Sequence, residues 1–390
     1  MIPAVPDPSS FRDPSGHVYQ LDGRIFRTVT NRAAEDYEFL RQSGFLSSLA
    51  DRGWLIDSKE VDPAILGSAG VEARYVLEHP QLPFISYPYE WPFQVLKAAA
   101  LFHLDLHLEA LENNITLSDA SAYNVQFKGT RPIFIDVLSL RRYRDGEFWL
   151  GHRQFCDQFL NPLLLRALLA VPHNAWYRGN LEGITTLELS RLLPVRRKLS
   201  WNVIIHVVLH ARLQESAIRK RDSNIKAVNE KTLPRAAFRN MLVQLRRWVD
   251  GLEPGDRGKT VWRDYEINHT YAPDEESAKR KFVAEFVNKT KPKLLWDLGC
   301  NTGEYSAIAL DAGAEYSIGF DSDHAALDTA FARAMAKGLN FLPLFVDATN
   351  PSPEQGWRQR ERQGLQNRAR GTRYSHLRSS IISRSGGTCR

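Results

Sequence analysis

Three short apolar runs, KLLWDLG, AEYSIGFDSD and NFLPLFVDATN, follow one another between residues 293 and 350 and are separated by segments with helical patterning. The segment before them, DEESAKRKFVAEFVNKT, starts with acidic residues and places apolar side chains at helical spacing. Alternation of short strands with helices is typical of βαβ units, whose strands lie parallel in one sheet. This pattern predicts a parallel α/β unit in the C-terminal part of the chain.

Small and acidic residues follow each of these predicted strands. The first strand enters the turn 297–303, whose glycines allow a sharp bend and the close approach of a ligand. The second strand ends at Asp321, where a carboxylate can accept hydrogen bonds from both hydroxyls of a ribose, and the third ends at Asp347, placed to meet an adenine amino group. The carboxyl ends of parallel strands line the crevice where such sheets bind ligands.

These residues resemble class I S-adenosylmethionine-dependent methyltransferases, which have a Rossmann-like fold and a first motif of the form acidic-x-Gly-x-Gly-x-Gly. Asn301 stands at the middle glycine, and the full Gly-x-Gly-x-x-Gly phosphate fingerprint is absent, which favours S-adenosylmethionine over NAD. The resemblance implies that Asp297 and Gly299 line the methionine side, Asp321 holds the ribose and Asp347 the adenine. The implied cofactor-binding set is Asp297, Gly299, Asn301, Gly303, Asp321 and Asp347. The alternative is a nucleotide-fold unit that binds nothing.

A narrower resemblance extends over nearly the whole chain. The segments ISYPYEWPF, LSDASAYNVQF, IDVLSLRRY and NPSPEQGW followed by ERQGL are similar to a bacterial methyltransferase family of rhizobial host-specific nodulation. The resemblance implies modification of a nodulation signal or another cell-surface product, with a small-molecule or glycolipid-type acceptor. The competing interpretation is a non-catalytic S-adenosylmethionine-binding or accessory protein. No catalytic residue is identified by either resemblance.

The chain divides by composition into four stretches. Residues 1–250 begin with a predicted hairpin, HVYQLDGRIFRTVT, around Asp22-Gly23 and continue with mostly helical patterning, which predicts a helical α+β domain. The segment GLEPGDRGK concentrates Gly, Pro and charge, so we predict a linker at 251–273. A partial methyltransferase domain at 274–370 and an Arg/Ser-rich tail at 371–390 complete the prediction.

The tail conflicts with a complete methyltransferase fold. Only 43 residues follow Asp347, whereas the class I fold needs seven strands. When residues 371–384 are reverse-translated and read in a shifted frame, one allowed product is DAILALALIHHLA, an apolar run suited to a fourth strand. We therefore expect a frameshift there, and the alternative is a naturally short protein with a disordered tail.

Charge and cysteine content restrict the classes of binding partner and the cellular location expected for this chain. The net charge of +6 comes from residues 358–390, which contain nine arginines and one acid, Glu361. The rest of the chain holds 42 basic and 44 acidic residues, so its charge balance argues against nucleic acid as a partner. No signal pattern and no membrane-spanning apolar run occur, and the three cysteines form no disulfide or zinc pattern. A cytoplasmic location is expected.

A second constellation lies in LSDASAYNVQFKGTRPIFIDVLS. Asp119, Asn124 and Asp136 resemble the catalytic loop and metal-binding Asp of kinase-like and aminoglycoside phosphotransferases. The resemblance implies that Asp119 acts as base toward an acceptor hydroxyl and that Asn124 and Asp136 hold magnesium. No glycine-rich phosphate loop or Val-Ala-x-Lys strand precedes them, which favours a degenerate kinase-like scaffold over an active phosphotransferase. The simplest alternative is a hairpin in which Asp119 caps a turn.

Two pairs of histidines are spaced so that both side chains of a pair could bind zinc from one face of a helix. They are His103 with His107 and His206 with His210, each four residues apart. Neither pair belongs to a His-Glu-x-x-His motif, and both lie in apolar surroundings. We therefore predict that they pack in helices and that the chain holds no structural metal.

Overall fold

A computed structural model describes residues 3–209, 211, 232–256 and 273–370 of the chain. The tail at 371–390, for which a shifted frame was expected, lies outside these ranges. Most of the predicted linker and His210 also lie outside the described residues.

The chain begins with a five-stranded antiparallel sheet in the order β1-β2-β3-β5-β4. Its strands are β1 Val5–Pro6, β2 Val18–Leu21, β3 Arg24–Thr30, β4 Lys59–Val61 and β5 Ala73–His79. Asp22 and Gly23 join β2 to β3 with positive φ angles of 49° and 73°, as the mirror-image tight turn requires, so the predicted hairpin is confirmed. Helices α1 Asn31–Gln42 and α2 Phe45–Asp51 connect β3 to β4.

A long helix, α3 Phe93–Glu112, runs through the core and leads into two short hairpin-like pairs. The strands are β6 Ile115–Leu117, β7 Val125–Lys128, β8 Arg131–Phe134 and β9 Leu140–Arg142. β6 pairs with β9 and β7 pairs with β8, both antiparallel. This pairing brings the β6–β7 loop beside the β8–β9 loop, which together carry Asp119, Asn124 and Asp136.

Other helices of the N-terminal part follow α3 along the chain. They are α4 His152–Phe155, α5 Asn161–Leu169, α6 Asn174–Gly179, α7 Thr186–Leu192, α8 Val195–Lys198, α9 Trp201–Val203 and α10 Arg235–Asp250. A π-helical turn, Cys156–Leu160, joins α4 to α5, and another, Ile204–Leu209, continues α9. α10 buries Phe238, Leu242 and Leu245 on its side facing α3, as its predicted amphipathic pattern requires.

The C-terminal part is a parallel three-stranded sheet in the order β10-β11-β12. Its elements are α11 Pro273–Thr290, β10 Leu294–Leu298, α12 Glu304–Asp311, β11 Tyr316–Asp321, α13 His324–Lys337 and β12 Phe341–Phe345, and α14 Leu365–Arg370 follows a loop. The parallel register joins Trp296 to Ile318 and Ile318 to Leu342. The three predicted strands and their βαβ connections are therefore confirmed.

One face of this parallel sheet packs on the N-terminal part of the chain. Phe84 makes edge-to-face contacts with Trp296 and Phe320, with ring centroids 5.7 and 6.0 Å apart. Helix α13 also contacts α3, and Arg166 forms an ion pair with Asp328 at 3.0 Å across the same boundary. The two parts that differ in sequence pattern thus share one continuous apolar core. Among the described residues, no helix has both the length and the apolar character needed to cross a bilayer.

Candidate functional site

The turn after β10 adopts a backbone conformation that most residues avoid. Gly299, Asn301 and Gly303 have positive φ angles of 77°, 48° and 79°. Asparagine enters this left-handed region more readily than other non-glycine residues, because its short amide can hydrogen-bond locally. Asn301 can therefore stand where the methyltransferase motif has glycine. A Cβ at Gly303 would lie 2.5 Å from the Phe341 ring, so this position requires glycine for space as well.

Asp321, at the end of β11, fixes the position of this turn. Its Oδ2 accepts a hydrogen bond from the backbone N–H of Asn301 at 2.8 Å. Its Oδ1 accepts from the backbone N–H groups of Ser322 and Asp323 at 2.7 and 3.0 Å. The carboxylate is partly exposed, so it can also accept hydrogen bonds from a ligand that enters the crevice.

Asp297 lies on the other side of the turn and is directed into the protein. Ser306 of α12 donates its hydroxyl to Asp297 Oδ2 at 2.7 Å, and Ser317 donates to Ser306 at 3.0 Å. Burial raises the pKa of Asp297, and the nearby charge of Asp321 raises it further. This chain of hydrogen bonds fastens α12 to the sheet beneath the turn.

Asp347 lies two residues beyond β12 and is stabilised locally. Its Oδ1 accepts from the backbone N–H and the hydroxyl of Thr349 at 2.9 and 2.7 Å. These hydrogen bonds lower the pKa of Asp347. Among the described residues, Asp321 is hydrogen-bonded to the turn at 299–303. Asp347 forms no hydrogen bond with this turn or with Asp321 in the same residues.

An aromatic pair at the carboxyl end of β12 was missed by the sequence reasoning. The rings of His324 and Phe345 stack with centroids 4.4 Å apart and an interplanar angle of 6°. Burial lowers the pKa of His324 to about 4, so the imidazole is neutral at pH 7. Phe345 ends an apolar run, and the sequence pattern suggested only a strand there. Phe345 is the register partner of Asp321, so the pair adjoins the acidic crevice.

The structure also brings together the three residues of the N-terminal constellation. Asn124 Nδ2 lies 3.3 Å from both carboxylate oxygens of Asp119 and 3.3 Å from Oδ2 of Asp136. Ser139 donates its hydroxyl to Asp136 Oδ2 at 2.6 Å. Burial, followed by the charge of Asp136, raises the pKa of Asp119 to about 6. One amide thus bridges the two carboxylates, which the kinase-like resemblance had implied would share a site.

Arg27 completes this constellation and was not identified from the sequence. It lies in β3, is 9% exposed, and pairs with Asp136 at 2.9 Å and with Asp13 at 2.5 Å. Arg27 does not belong to a Val-Ala-x-Lys pattern, so that motif gave no sign of it. The available signal was a basic residue inside the apolar run of β3. Arg27 neutralises part of the acidic site from within the protein.

The first histidine pair packs as predicted. His103 and His107 are fully buried, and His103 lies among the rings of Trp149, Phe155 and Phe159. Burial lowers the pKa of His103 to about 3. Within residues 3–209, 211, 232–256 and 273–370, no group of three or more His, Cys, Asp or Glu is placed to hold a metal ion. The prediction for the second pair involves His210, outside the described residues.

Fold and site together define a mixed α/β protein whose C-terminal parallel βαβ unit carries a Gly-Asn-Gly turn held by an acidic strand end. No family model matches the chain. The chain is 47% identical over 372 residues to the nodulation protein NoeA of Rhizobium meliloti (strain 1021), an alignment that covers 94% of the chain and 78% of NoeA. The chain therefore belongs to the NoeA family of nodulation proteins.

Proposed function

We propose that this protein acts in nodulation as an S-adenosylmethionine-dependent methyltransferase. The observation that carries the proposal is the positive-φ turn at 299–303, held at the end of β11 by Asp321. The part in nodulation rests on the identity to NoeA. The acceptor in this proposal is a small molecule or glycolipid with a hydroxyl or amine group.

The residues of the crevice fit the groups of S-adenosylmethionine. Asp321 offers a carboxylate to the ribose hydroxyls, and the glycines allow the backbone to approach the methionine portion. Asn301 Oδ1 is buried and has no hydrogen-bond partner among the described residues. A donor group of the bound ligand would satisfy this oxygen. The stacked His324 and Phe345 rings offer an apolar surface for adenine.

Methyl transfer would depend mainly on positioning. Bound S-adenosylmethionine supplies an electrophilic methyl group on a sulfonium. The chain would hold the ribose through Asp321 and would orient the acceptor for in-line attack, since proximity and alignment lower the barrier without further chemistry by the protein. A base is needed only if the acceptor is a hydroxyl, and no described residue is assigned that role.

Titration calorimetry with S-adenosylmethionine tests the proposed site. We expect heat of binding with the parent protein and its loss in Asp321→Ala. Asp311→Ala is the matched control, because Asp311 is an exposed acid of the same unit outside the crevice. Thermal melts of both variants show whether the fold is kept. Absence of binding to the folded parent protein contradicts the proposal.

Catalysis and simple binding are separated by a transfer assay. Labelled S-adenosylmethionine is incubated with the protein and with glycolipid extracts of Rhizobium meliloti, the organism of NoeA. Label in an extracted product that is lost with Asp321→Ala supports methyl transfer. Binding without any transferred label supports the alternative, a non-catalytic accessory protein of nodulation.

A second candidate function is phosphoryl transfer at the N-terminal acidic site. Its support is the convergence of Asp119, Asn124 and Asp136, together with a basic side chain from β3. In this assignment Asp119 accepts the proton of the acceptor hydroxyl, and Asn124 and Asp136 hold magnesium. The ion pair of Arg27 with Asp136 competes with a metal for the same carboxylate, which favours the degenerate scaffold.

Magnesium-dependent ATP turnover distinguishes an active phosphotransferase from a degenerate kinase-like scaffold. Turnover by the parent protein that disappears in Asp119→Asn and Asp136→Asn supports a phosphotransferase. Asp57→Asn, which alters an acid outside the Asp119–Asn124–Asp136 cluster, is the control. No turnover, together with unchanged S-adenosylmethionine binding, supports a degenerate scaffold.

A further inference from the structure

Residues 192–204 expose a run of large apolar side chains. The exposed fractions are 75% for Val195, 73% for Leu199, 71% for Trp201, 49% for Leu192 and 36% for Ile204. Single exposed apolar residues are ordinary, but a run of them within a short segment is a frequent mark of an interaction surface. We call these five side chains the apolar surface of residues 192–204.

The segment that carries this surface is anchored to the protein. Leu193, Val203 and Val207 are at most 3% exposed and belong to the main core. Helix α7, which leads into the segment, starts with a capping box in which Thr185 and Glu188 bond reciprocally. Core anchoring therefore fixes the inner side of the segment and turns the five apolar side chains outward.

Basic side chains lie within the same segment. Arg196 and Arg197 are exposed and Lys198 is half-buried. None of the three forms an ion pair with a carboxylate in the described part of the chain, whereas Arg24 and Arg41 pair with Glu78 and Glu60. The three cations are thus available to an external anion.

We propose that residues 192–204 dock this protein onto an anionic lipid surface. Aliphatic and tryptophan side chains enter the boundary between headgroups and acyl chains, while neighbouring arginines and lysines meet anionic headgroups. This contact is peripheral, at the surface of the bilayer. It is independent of methyl transfer, since none of these residues belongs to the crevice.

The mixture of side chains favours lipid over other anionic partners. Nucleic acid would use Arg196, Arg197 and the ring of Trp201, but it would leave Val195 and Leu199 in water. An acidic protein could cover both kinds of side chain. That partner would bind independently of vesicles, and the experiment includes this outcome.

Vesicle co-sedimentation tests the proposal with the full chain. Vesicles of phosphatidylcholine are compared with vesicles that also contain phosphatidylglycerol. We expect binding to the anionic vesicles that weakens with salt. The double variant Leu199→Ser/Trp201→Ser should lose binding to the anionic vesicles. Arg196→Gln/Arg197→Gln should weaken that binding, by about fivefold for each cation removed.

Matched controls are available elsewhere on the surface. Val71 and Val5 are 81% and 57% exposed, so Val5→Ser/Val71→Ser removes exposed apolar area outside the segment. Equal loss of binding in this control overturns the proposal, as does a folded parent protein that ignores anionic vesicles. Capture by an acidic protein without vesicle binding also overturns it. S-adenosylmethionine binding, measured on the same variants, should stay unchanged and separates this result from the methyltransferase proposal.

Discussion

The two acidic sites of the molecule differ in what stabilises their carboxylates. In the described residues, Asp321 accepts hydrogen bonds from three backbone N–H groups, whereas Asp136 pairs with the guanidinium of Arg27. Backbone amides fix a carboxylate in place without neutralising its charge, and a guanidinium does both. The C-terminal site therefore keeps an anionic acceptor for ligands, and the N-terminal site is largely satisfied by the protein itself.

The same difference separates structural from functional roles. A buried ion pair becomes costly when one partner is removed, because the other charge stays buried. A partly exposed carboxylate can be lost at a smaller cost, since water replaces it. Substitution of Asp136 should therefore cost more stability than substitution of Asp321, whereas substitution of Asp321 should cost more ligand binding.

The largest effect on stability is expected for Asp136→Ala. Arg27 would keep only Asp13 as a carboxylate partner, and the side chains of Arg27 and Asp136 are 11% and 17% exposed. We expect the free energy of unfolding to fall by about 3 kcal/mol. Urea denaturation, followed by circular dichroism, measures the change.

A double-mutant cycle sharpens this result. Arg27→Met/Asp136→Ala removes both partners of this ion pair, so its loss of stability should be smaller than the sum of the losses in the two single variants. Asp51→Ala, at an exposed position, is the control and should change stability little. If the double variant is as unstable as the sum of the single variants, the ion pair is not what sets the cost.

Acidification should also change the free energy of unfolding through buried titratable side chains, mainly in the N-terminal part. The pKa of His103 is about 3 in the folded protein because of burial, below the ordinary value of 6.5. Its folded-state pKa is lowered, so the stability it supports is complete above pH 6.5 and falls as pH drops toward 3. The expected loss is about 1.4 kcal/mol per pH unit for one histidine, or about 2 kcal/mol between pH 6.5 and 5.

Replacement of this histidine separates its contribution from that of other groups. His103→Leu should make the free energy of unfolding less dependent on pH in this range, and His17→Leu, at a half-buried position, is the control. Asp119 and Asp328 act in the opposite direction, because burial raises their pKa values to about 6 and acid relieves their buried charge. An unchanged pH slope in His103→Leu contradicts the assignment.

Gly303→Ala should have the next largest effect. Its φ of 79° and the 2.5 Å approach of a Cβ to Phe341 combine backbone strain with a steric clash. We expect a loss of about 2 kcal/mol, together with weaker S-adenosylmethionine binding. Gly179→Ala is the control, because a Cβ there meets nothing within 4 Å. Asn301→Gly should leave the free energy of unfolding nearly unchanged, since glycine enters the same backbone conformation freely.

Features encoded within short segments were predictable from the sequence, and features that join distant segments were not. The strands β10, β11 and β12 show as apolar runs that end at turns, and the local resemblance of Asp119, Asn124 and Asp136 to a kinase-like loop implied their convergence. Arg27 reaches this site from a strand far away in the chain, and Phe84 joins the two parts of the molecule through Trp296. Pairs of this kind leave no local periodicity, because they depend on how the elements pack.

Asp321→Ala should have the smallest effect on stability and the largest on ligand binding. The variant leaves three backbone N–H groups without their acceptor, but Asp321 is partly exposed and water can replace it, so we expect a loss of about 1 kcal/mol. S-adenosylmethionine binding should disappear, because no other carboxylate among the described residues bonds to the turn. Denaturation and calorimetry on the same preparation check both values. A large loss of stability with retained binding would reverse the assignment and make Asp321 a structural residue.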